Sequence, residues 1–506
     1  MILPKRLIVV SNRLPVSIQA EGDSRAVVPS SGGLVTALTP LVRETGGCWI
    51  GWTGTEYDPR VQRRIAETSL DGGGRLLPVF LTSDERKNFY CGFSNEVIWP
   101  LFHDLQSCCN FDPVYWDTYC EVNEKFADAV ASVAKKEDFV WVHDYHLMLL
   151  ADCIGEREVR PKLGYFHHIP FPPPDIFEKL PWRTHILLSL LKFSVIGFQT
   201  TRDQRNFMQC VRRLLRTAKF QRLGMNQIVI HNGRAAVLGR FPIGIDFEEF
   251  AGPAGSPEVQ RRSDEVKAGI PGKILLGVDR LDYTKGIPER LRAFRLLLES
   301  HHELHGNVSL LQIIVPSRED VPKYRDLKLR IEQLVSQING AFGRPGWVPI
   351  HFLHRNVSRS ELIAYYRAAD ICMVTSLKDG MNLVAKEYCA ARVNESGVLI
   401  LSEFAGAAAE LNAGALLVNP YDTEGMMEAI VKAYNMPPLD QMLRMRQMRD
   451  VVRSNTVFRW CESFYRATKV KTDETTSTVS ESPHVLSFLP SASPTKAWKQ
   501  AVGSFG

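Results

Sequence analysis

Lys273-Ile-Leu-Leu-Gly-Val-Asp-Arg280-Leu-Asp-Tyr-Thr-Lys285-Gly-Ile-Pro-Glu-Arg290 reads as a short strand apolar on both faces, a turn bearing two cations, and the start of a helix. A brief apolar run of this kind, bounded by turn signals and followed by a helical stretch, is the pattern of a parallel strand covered by helices on both sides. Working outward, the pattern recurs at Leu7–Val10, Phe139–Val142, Leu163–Phe166, Val195–Phe198, Ser309–Val315, Ile371–Val374 and Val398–Leu401. The chain is therefore expected to be α/β, with doubly wound parallel sheets and ligands at the carboxyl ends of the strands. Its 506 residues are about three times the ~150 typical of one domain, which predicts two Rossmann-like domains facing a central cleft.

Pro242-Ile-Gly-Ile-Asp246, with the polar, Gly- and Pro-containing stretch to Gly272, reads as a linker. It divides a first domain, 1–242, from a second, 247–455. A helix over 456–470, carrying Val457, Trp460, Phe464 and Tyr465 at three- to four-residue spacing, is expected to cross back to the first domain. The Ser/Thr/Pro-rich tail, 471–506, has little to bury and is expected to be disordered or loosely docked.

Composition narrows the function. Hydrophobic residues at 45% and charged residues at 23% exclude a disordered or low-complexity chain. Lys+Arg 61 against Asp+Glu 56 gives a surplus of five, too thin for a nucleic-acid partner, so any anion must be met by local charge. The ten cysteines contain no C-x-x-C pair and read as reduced core residues of a cytoplasmic protein. The segment His185–Phe198 is interrupted by Lys192 and falls short of the ~20 residues that span a bilayer, so no membrane partner is expected. The sequence leaves a homo-oligomer open.

Cations collect at predicted strand ends. The first strand ends in Ser11-Asn12-Arg13, and Pro29-Ser-Ser-Gly32-Gly33-Leu-Val35 brings a glycine pair into a helix, where backbone amides can approach a phosphate. A tight turn and a surface cation are the plainer readings of these two features. Arg280 and Lys285 stand where a diphosphate would be neutralised, and Leu311-Gln-Ile-Ile-Val-Pro-Ser-Arg318 adds a cation to the same rim. Singly, each is equally a solvated loop cation. Thr375-Ser-Leu-Lys-Asp379-Gly380-Met381-Asn382-Leu383-Val384-Ala385-Lys386-Glu387 follows another strand. Its two carboxylates, two helical turns apart, can accept hydrogen bonds from sugar or ribose hydroxyls, or Asp379 can simply cap the helix. His143, His146, His167 and His168 lack the further ligands of a zinc site, so no metal and no cofactor is expected. No D-x-D is present.

Taken together, SNR, SSGGL, FSNEVIWPLFH, WVHDYHLM, HIPFP, RLDYTKGIPER, VPSRED, SLKDGMNLVAKEY and LSEFAGAAAEL resemble the trehalose-6-phosphate synthase family, in order, over about residues 5–468. That family comprises retaining glycosyltransferases of the GT-B fold that join a nucleotide-activated glucose to glucose 6-phosphate. The resemblance implies that Arg13, Tyr90, Asp144 and Arg318 hold glucose 6-phosphate, with Trp99 a wall selecting the anomer. It implies that Gly32, Gly33, Arg280, Lys285, Val357 and the run Leu383–Glu387 hold the UDP part, with Glu387 on the ribose. His168 and the turn Asp379-Gly380-Met381-Asn382 would face the donor glucose. His167 reads as a core neighbour. The implied catalytic set is Asp144, His168, Arg280, Lys285 and Asp379. A glucosylglycerol-phosphate synthase, a non-catalytic regulatory paralogue and a Rossmann dehydrogenase are the rival readings. The last lacks G-x-G-x-x-G after the first strand.

Overall fold

The computed structural model describes residues 4–21, 24–29, 33–68, 73–224, 226–317 and 321–470. Nine strands form the first sheet, in the order Arg75–Val79, Cys48–Trp52, Leu7–Arg13, Phe139–His143, Lys162–His167, Val195–Phe198, Arg234–Arg240, Asn226–His231 and Lys219–Leu223. The first seven run parallel; Asn226–His231 runs antiparallel to both of its neighbours, and Lys219–Leu223 forms the edge beyond it. The second sheet is parallel throughout, in the order Ile350–His354, Val308–Val315, Lys273–Arg280, Ile371–Val374, Val398–Ser402 and Leu416–Val418. A separate hairpin pairs Val16–Glu21 with Ser24–Pro29.

All eight apolar runs read from the sequence lie within strands. Their central residues, among them Val9, Val140, Ile196, Leu276, Ile313 and Ile400, are fully buried, as two-sided coverage by helices requires. In each sheet the strand order reverses beside the first strand, where α/β folds gather their ligands. No described helix is long and apolar enough to cross a membrane.

The stretch after Asp246 departs from the linker reading. Glu248–Ala254 and Pro257–Gly269 are helices, the second capped by Ser256 Oγ accepting from the Val259 amide. Both are tied to the helix Arg359–Ala368, through Arg359 to Glu249 at 2.7 Å and Arg262 to Ser360 at 3.1 Å. Gly252, Pro253 and Gly255 disguise this helical segment as a loop.

The helix Val457–Ala467 lies on the first sheet. Phe464 stacks on Trp141 at 4.5 Å, while Trp460 meets the edge of Phe166 at 5.0 Å. Gly164 and Gly197, on neighbouring strands, leave the space for it, since a Cβ at either would sit within 3 Å of the Phe464 ring. Two chain crossings meet beneath this helix. The Val457 amide donates to the Ile245 carbonyl at 3.1 Å. Lys386, almost wholly buried, pairs with Glu410 at 2.5 Å and donates to the Ile243 carbonyl at 2.8 Å. Asn455 donates to the other oxygen of Glu410.

Candidate active site

One rim of the cleft is built from the carboxyl ends of the first sheet. Arg13 ends its strand and lies over the Trp52 ring at 4.6 Å. Burial holds its pKa below the ordinary value; Tyr90 opposes that shift and Arg86 adds to it. From Arg13 an unbroken series of rings continues. Trp52 meets Tyr90 at 5.6 Å, Tyr90 stacks on His146 at 6.0 Å and His146 on Tyr145 at 4.0 Å. Tyr145 then meets Trp99 at 5.9 Å, and Trp99 meets His103 at 4.3 Å. Tyr90 sits in a π-helical stretch, Arg86–Ile98, a wide helix of the kind that recurs at functional sites and that apolar periodicity does not reveal.

Asp144 follows the Phe139–His143 strand with φ +73°, a left-handed conformation costly for a residue with a Cβ and best tolerated by Asp and Asn. Its amide donates to the Phe166 carbonyl at 2.8 Å, and its carboxylate accepts from the His168 amide at 3.2 Å. The His168 ring bonds His143 at 3.1 Å. Burial pushes the His168 pKa down to about 3, so the ring is neutral. His167 is a core residue, bonded to the Tyr165 hydroxyl at 3.0 Å.

The opposite rim comes from the second sheet. Arg280 ends its strand exposed. Lys285 and Asp379, read from the sequence as separate contacts for diphosphate and sugar, are partners at 2.6 Å, each side chain nearly buried. Ser376 and Asn382 also donate to the same oxygen of Asp379, both at 3.2 Å. Burial raises the pKa of Asp379, but the attraction and hydrogen bond of Lys285, with smaller help from His103 and Asn382, hold it below the usual carboxylate range.

The helix here begins only at Leu383, capped by Asn382 Oδ1 accepting from the Ala385 amide. Asp379 therefore precedes the helix, and neither lies on it nor caps it. Glu387 accepts from the Tyr366 hydroxyl at 2.8 Å, and burial raises its pKa. Leu383 and Val384 are partly buried, Ala385 fully. The Lys386 ammonium is committed to Glu410 and Ile243, which leaves its backbone as the part that can face a ligand. Val357, on the connection from the strand Ile350–His354 to the helix Arg359–Ala368, is partly buried against the core. Gly33 opens the helix Gly33–Glu44, whereas Gly32, Arg318 and the 471–506 tail fall outside the described residues.

The rims meet. A Cβ on Gly380 would lie 2.0 Å from the His168 carbonyl oxygen, so only glycine allows this approach. His103, whose pKa burial lowers to about 4, lies within electrostatic reach of Asp282, Lys285 and Asp379. Lys378 pairs with Asp104 at 2.6 Å, and Lys323 donates to the Cys108 carbonyl at 2.7 Å. Sequence reasoning picked out none of Asp104, His103, Tyr366 or Lys378 as functional. Asp104 and Lys378 are 274 positions apart, and a lone charge in each place carries no signal of the other.

With this geometry in place, comparison with known proteins finds a match over residues 5–470 to the model of Glycosyltransferase family 20. The chain belongs to that family. It is 42% identical over 466 residues to a protein of Yarrowia lipolytica named alpha,alpha-trehalose-phosphate synthase [UDP-forming], covering 90% of this chain and 98% of that one. The same identity holds over 465 residues with the A form of that synthase from Dictyostelium discoideum, covering 91% of this chain but only 62% of the longer relative. Among solved structures, the synthase of Burkholderia xenovorans in complex with glucose-6-phosphate is similar at 35% identity and TM-score 0.82, covering 92% of this chain and all of that one. The family's GT-B architecture is thus the fold of this chain.

Proposed function

We propose that the protein transfers glucose from UDP-glucose to glucose 6-phosphate with retention, releasing UDP and forming α,α-trehalose 6-phosphate. In this reading the unit 1–242 binds the acceptor and 247–455 the nucleotide sugar, with 456–470 returning to the first. Arg13, Tyr90, Asp144 and Arg318 hold glucose 6-phosphate against Trp99. Gly32, Gly33, Arg280, Lys285, Val357 and the Leu383–Glu387 segment hold UDP, and His168 with the Asp379–Asn382 turn faces the donor glucose. The observation that carries the reading is the direct approach of the two rims, Gly380 against the carbonyl of His168, whose amide donates to the acceptor candidate Asp144 at 3.2 Å, so that acceptor and donor candidates adjoin.

The chemistry follows from charge. The acceptor hydroxyl attacks C1 on the face from which the diphosphate departs, the C1–O bond to phosphate breaks, and the hydroxyl proton passes to the leaving phosphate oxygen. Arg280 and Lys285 stabilise the charge developing on UDP, a preorganised term that can reach several kcal/mol. Asp379 fixes the Lys285 ammonium in place before the donor arrives. Asp144, its backbone set by the left-handed turn, orients the acceptor hydroxyl. The ten free cysteines, seven of them buried, support a reducing, cytoplasmic setting.

Incubation with UDP-, GDP- or ADP-glucose against glucose 6-phosphate or glycerol 3-phosphate, reading nucleotide release and product mass, tests the proposal. The expected product is a disaccharide phosphate from UDP-glucose and glucose 6-phosphate. Turnover with glycerol 3-phosphate alone would transfer the assignment to a glucosylglycerol-phosphate synthase, and no turnover with any pair to a non-catalytic paralogue.

A further inference from the structure

We infer that the Asp104–Lys378 ion pair is a cross-cleft latch that positions the Trp99 wall against the Asp379 turn, which makes both residues positioning residues for the transfer. The inference rests on the function proposed above and adds to it a route by which the donor side of the cleft sets the acceptor side.

Each partner is fixed to its own rim. Lys378 lies between Leu377, whose amide donates to the Thr284 carbonyl at 2.8 Å, and Asp379, whose carbonyl accepts from the Gly406 amide at 3.0 Å. Its side chain is 12% exposed, and an ammonium so far removed from water needs a close anion. Asp104 supplies it at 2.6 Å. Among the other charged groups near Lys378, Asp203 attracts it and Arg202 repels it.

Asp104 has φ +62°, held by the turn that ends the helix Trp99–Phe102. Its amide donates to the Leu101 carbonyl at 3.2 Å and the Leu105 amide to the Pro100 carbonyl at 2.9 Å. The preceding residue, His103, bonds the Trp99 carbonyl through both its amide and Nδ1, the latter at 2.7 Å. A displacement of Lys378 is therefore carried through Asp104 and His103 to Trp99. The Lys323 contact with the Cys108 carbonyl adds a second crossing from the same stretch of the first rim. When the latch opens, the acceptor wall retreats and water reaches the donor.

The test compares Asp104→Asn, Lys378→Gln, their double variant and Lys378→Arg. Asn tolerates the positive φ and carries no charge, so Asp104→Asn removes the attraction without disturbing the turn. Each single variant is expected to lower glucose 6-phosphate-dependent UDP release at subsaturating acceptor by about tenfold and to raise the fraction of UDP released by hydrolysis. The double variant should be no worse than either single one, because one interaction is removed in all three. Lys378→Arg should retain most of the wild-type ratio of transfer to hydrolysis. Losses that multiply in the double variant, or an unchanged ratio, would overturn the latch.

Amide hydrogen exchange reads the latch without turnover. Lys378→Gln should speed exchange in residues 99–105, and Asp104→Asn in residues 376–382; exchange unchanged across the cleft overturns the inference whatever the activity. Failure of the wild-type protein to release UDP with glucose 6-phosphate would instead strike the proposed function.

Discussion

Removing Lys285 should damage the protein twice, and the two injuries can be separated. Its ammonium lies 2.6 Å from Asp379, with the two side chains 12% and 13% exposed. Deleting one member of a pair this buried leaves an uncompensated charge, at a cost of about 3 to 5 kcal/mol, against about 0 to 1 for a surface pair. Ser376 and Asn382 still donate to Asp379, which places Lys285→Ala near the lower end, about 3 kcal/mol of stability. The transition state also loses a charge-assisted contact to the departing diphosphate, about 2 to 4 kcal/mol, or roughly thirty- to a thousandfold in kcat. Adding Asp379→Asn should restore most of the stability, because the orphaned carboxylate is gone, and none of the rate.

The pH response should invert as well. In the wild-type protein Asp379 lies below its ordinary pKa, so its contribution is present above about pH 4 and is lost as pH falls further. In Lys285→Ala burial prevails and the pKa rises, so that variant gains stability as Asp379 is protonated. Melting temperatures across pH 4 to 7, with UDP release in the presence and absence of glucose 6-phosphate, measure both arms. A Lys285→Ala variant with kcat within threefold of wild type, or one that Asp379→Asn fails to restabilise, would refute the reasoning.

Three further outcomes are expected. Tyr366→Phe removes the hydroxyl that donates to buried Glu387 and should raise KM for the nucleotide sugar about tenfold, with KM for glucose 6-phosphate little changed in initial-rate assays. Phe464→Ala should cost about 3 to 5 kcal/mol in denaturant unfolding, because its fully buried ring fills the space left by Gly164 and Gly197. Burial depresses His103 to about 4 and both His167 and His168 to about 3, so these rings should show no titration between pH 5 and 8 by NMR. Because their ordinary pKa is near 6.5, stability should be complete above that value and decline as pH falls below it.

The strands most legible in the sequence are those enclosed on both faces, because burial leaves an uninterrupted apolar run. Cys48–Trp52 passed unnoticed although every residue in it is buried, since Gly51 and two tryptophans do not resemble a Val/Ile run. At the antiparallel end the outermost strand, Lys219–Leu223, is largely polar, in keeping with an edge exposed to water, and its neighbour Asn226–His231 buries only Ile228 and Val229, too short an apolar run to stand out. Helices after Asp246 were masked by Gly252, Pro253 and Gly255, residues that tertiary packing against Arg359–Ala368 overrides.

At the candidate site, cations at strand ends were visible because the strand pattern itself locates the carboxyl end. Pairings across long separations were not: Lys285 with Asp379 and Lys386 with Glu410 depend on how the elements around the second sheet pack on one another, and Lys378 with Asp104 on how the two rims come together. The cap at Asn382 in place of Asp379 turns on a single positive φ, which composition does not betray.

The helix Val457–Ala467 gives the molecule a particular order of assembly. The first sheet is translated by Arg240, yet the face carrying Trp141, Phe166, Gly164 and Gly197 receives its cover only when Trp460 and Phe464 have been made. At ~5–20 residues per second, that face waits on the order of ten to fifty seconds, long enough to need protection from other nascent chains. An N-terminal fragment ending at the crossing near Ile245 should therefore aggregate when produced alone and dissolve when the remainder, with its returning helix, is supplied in trans.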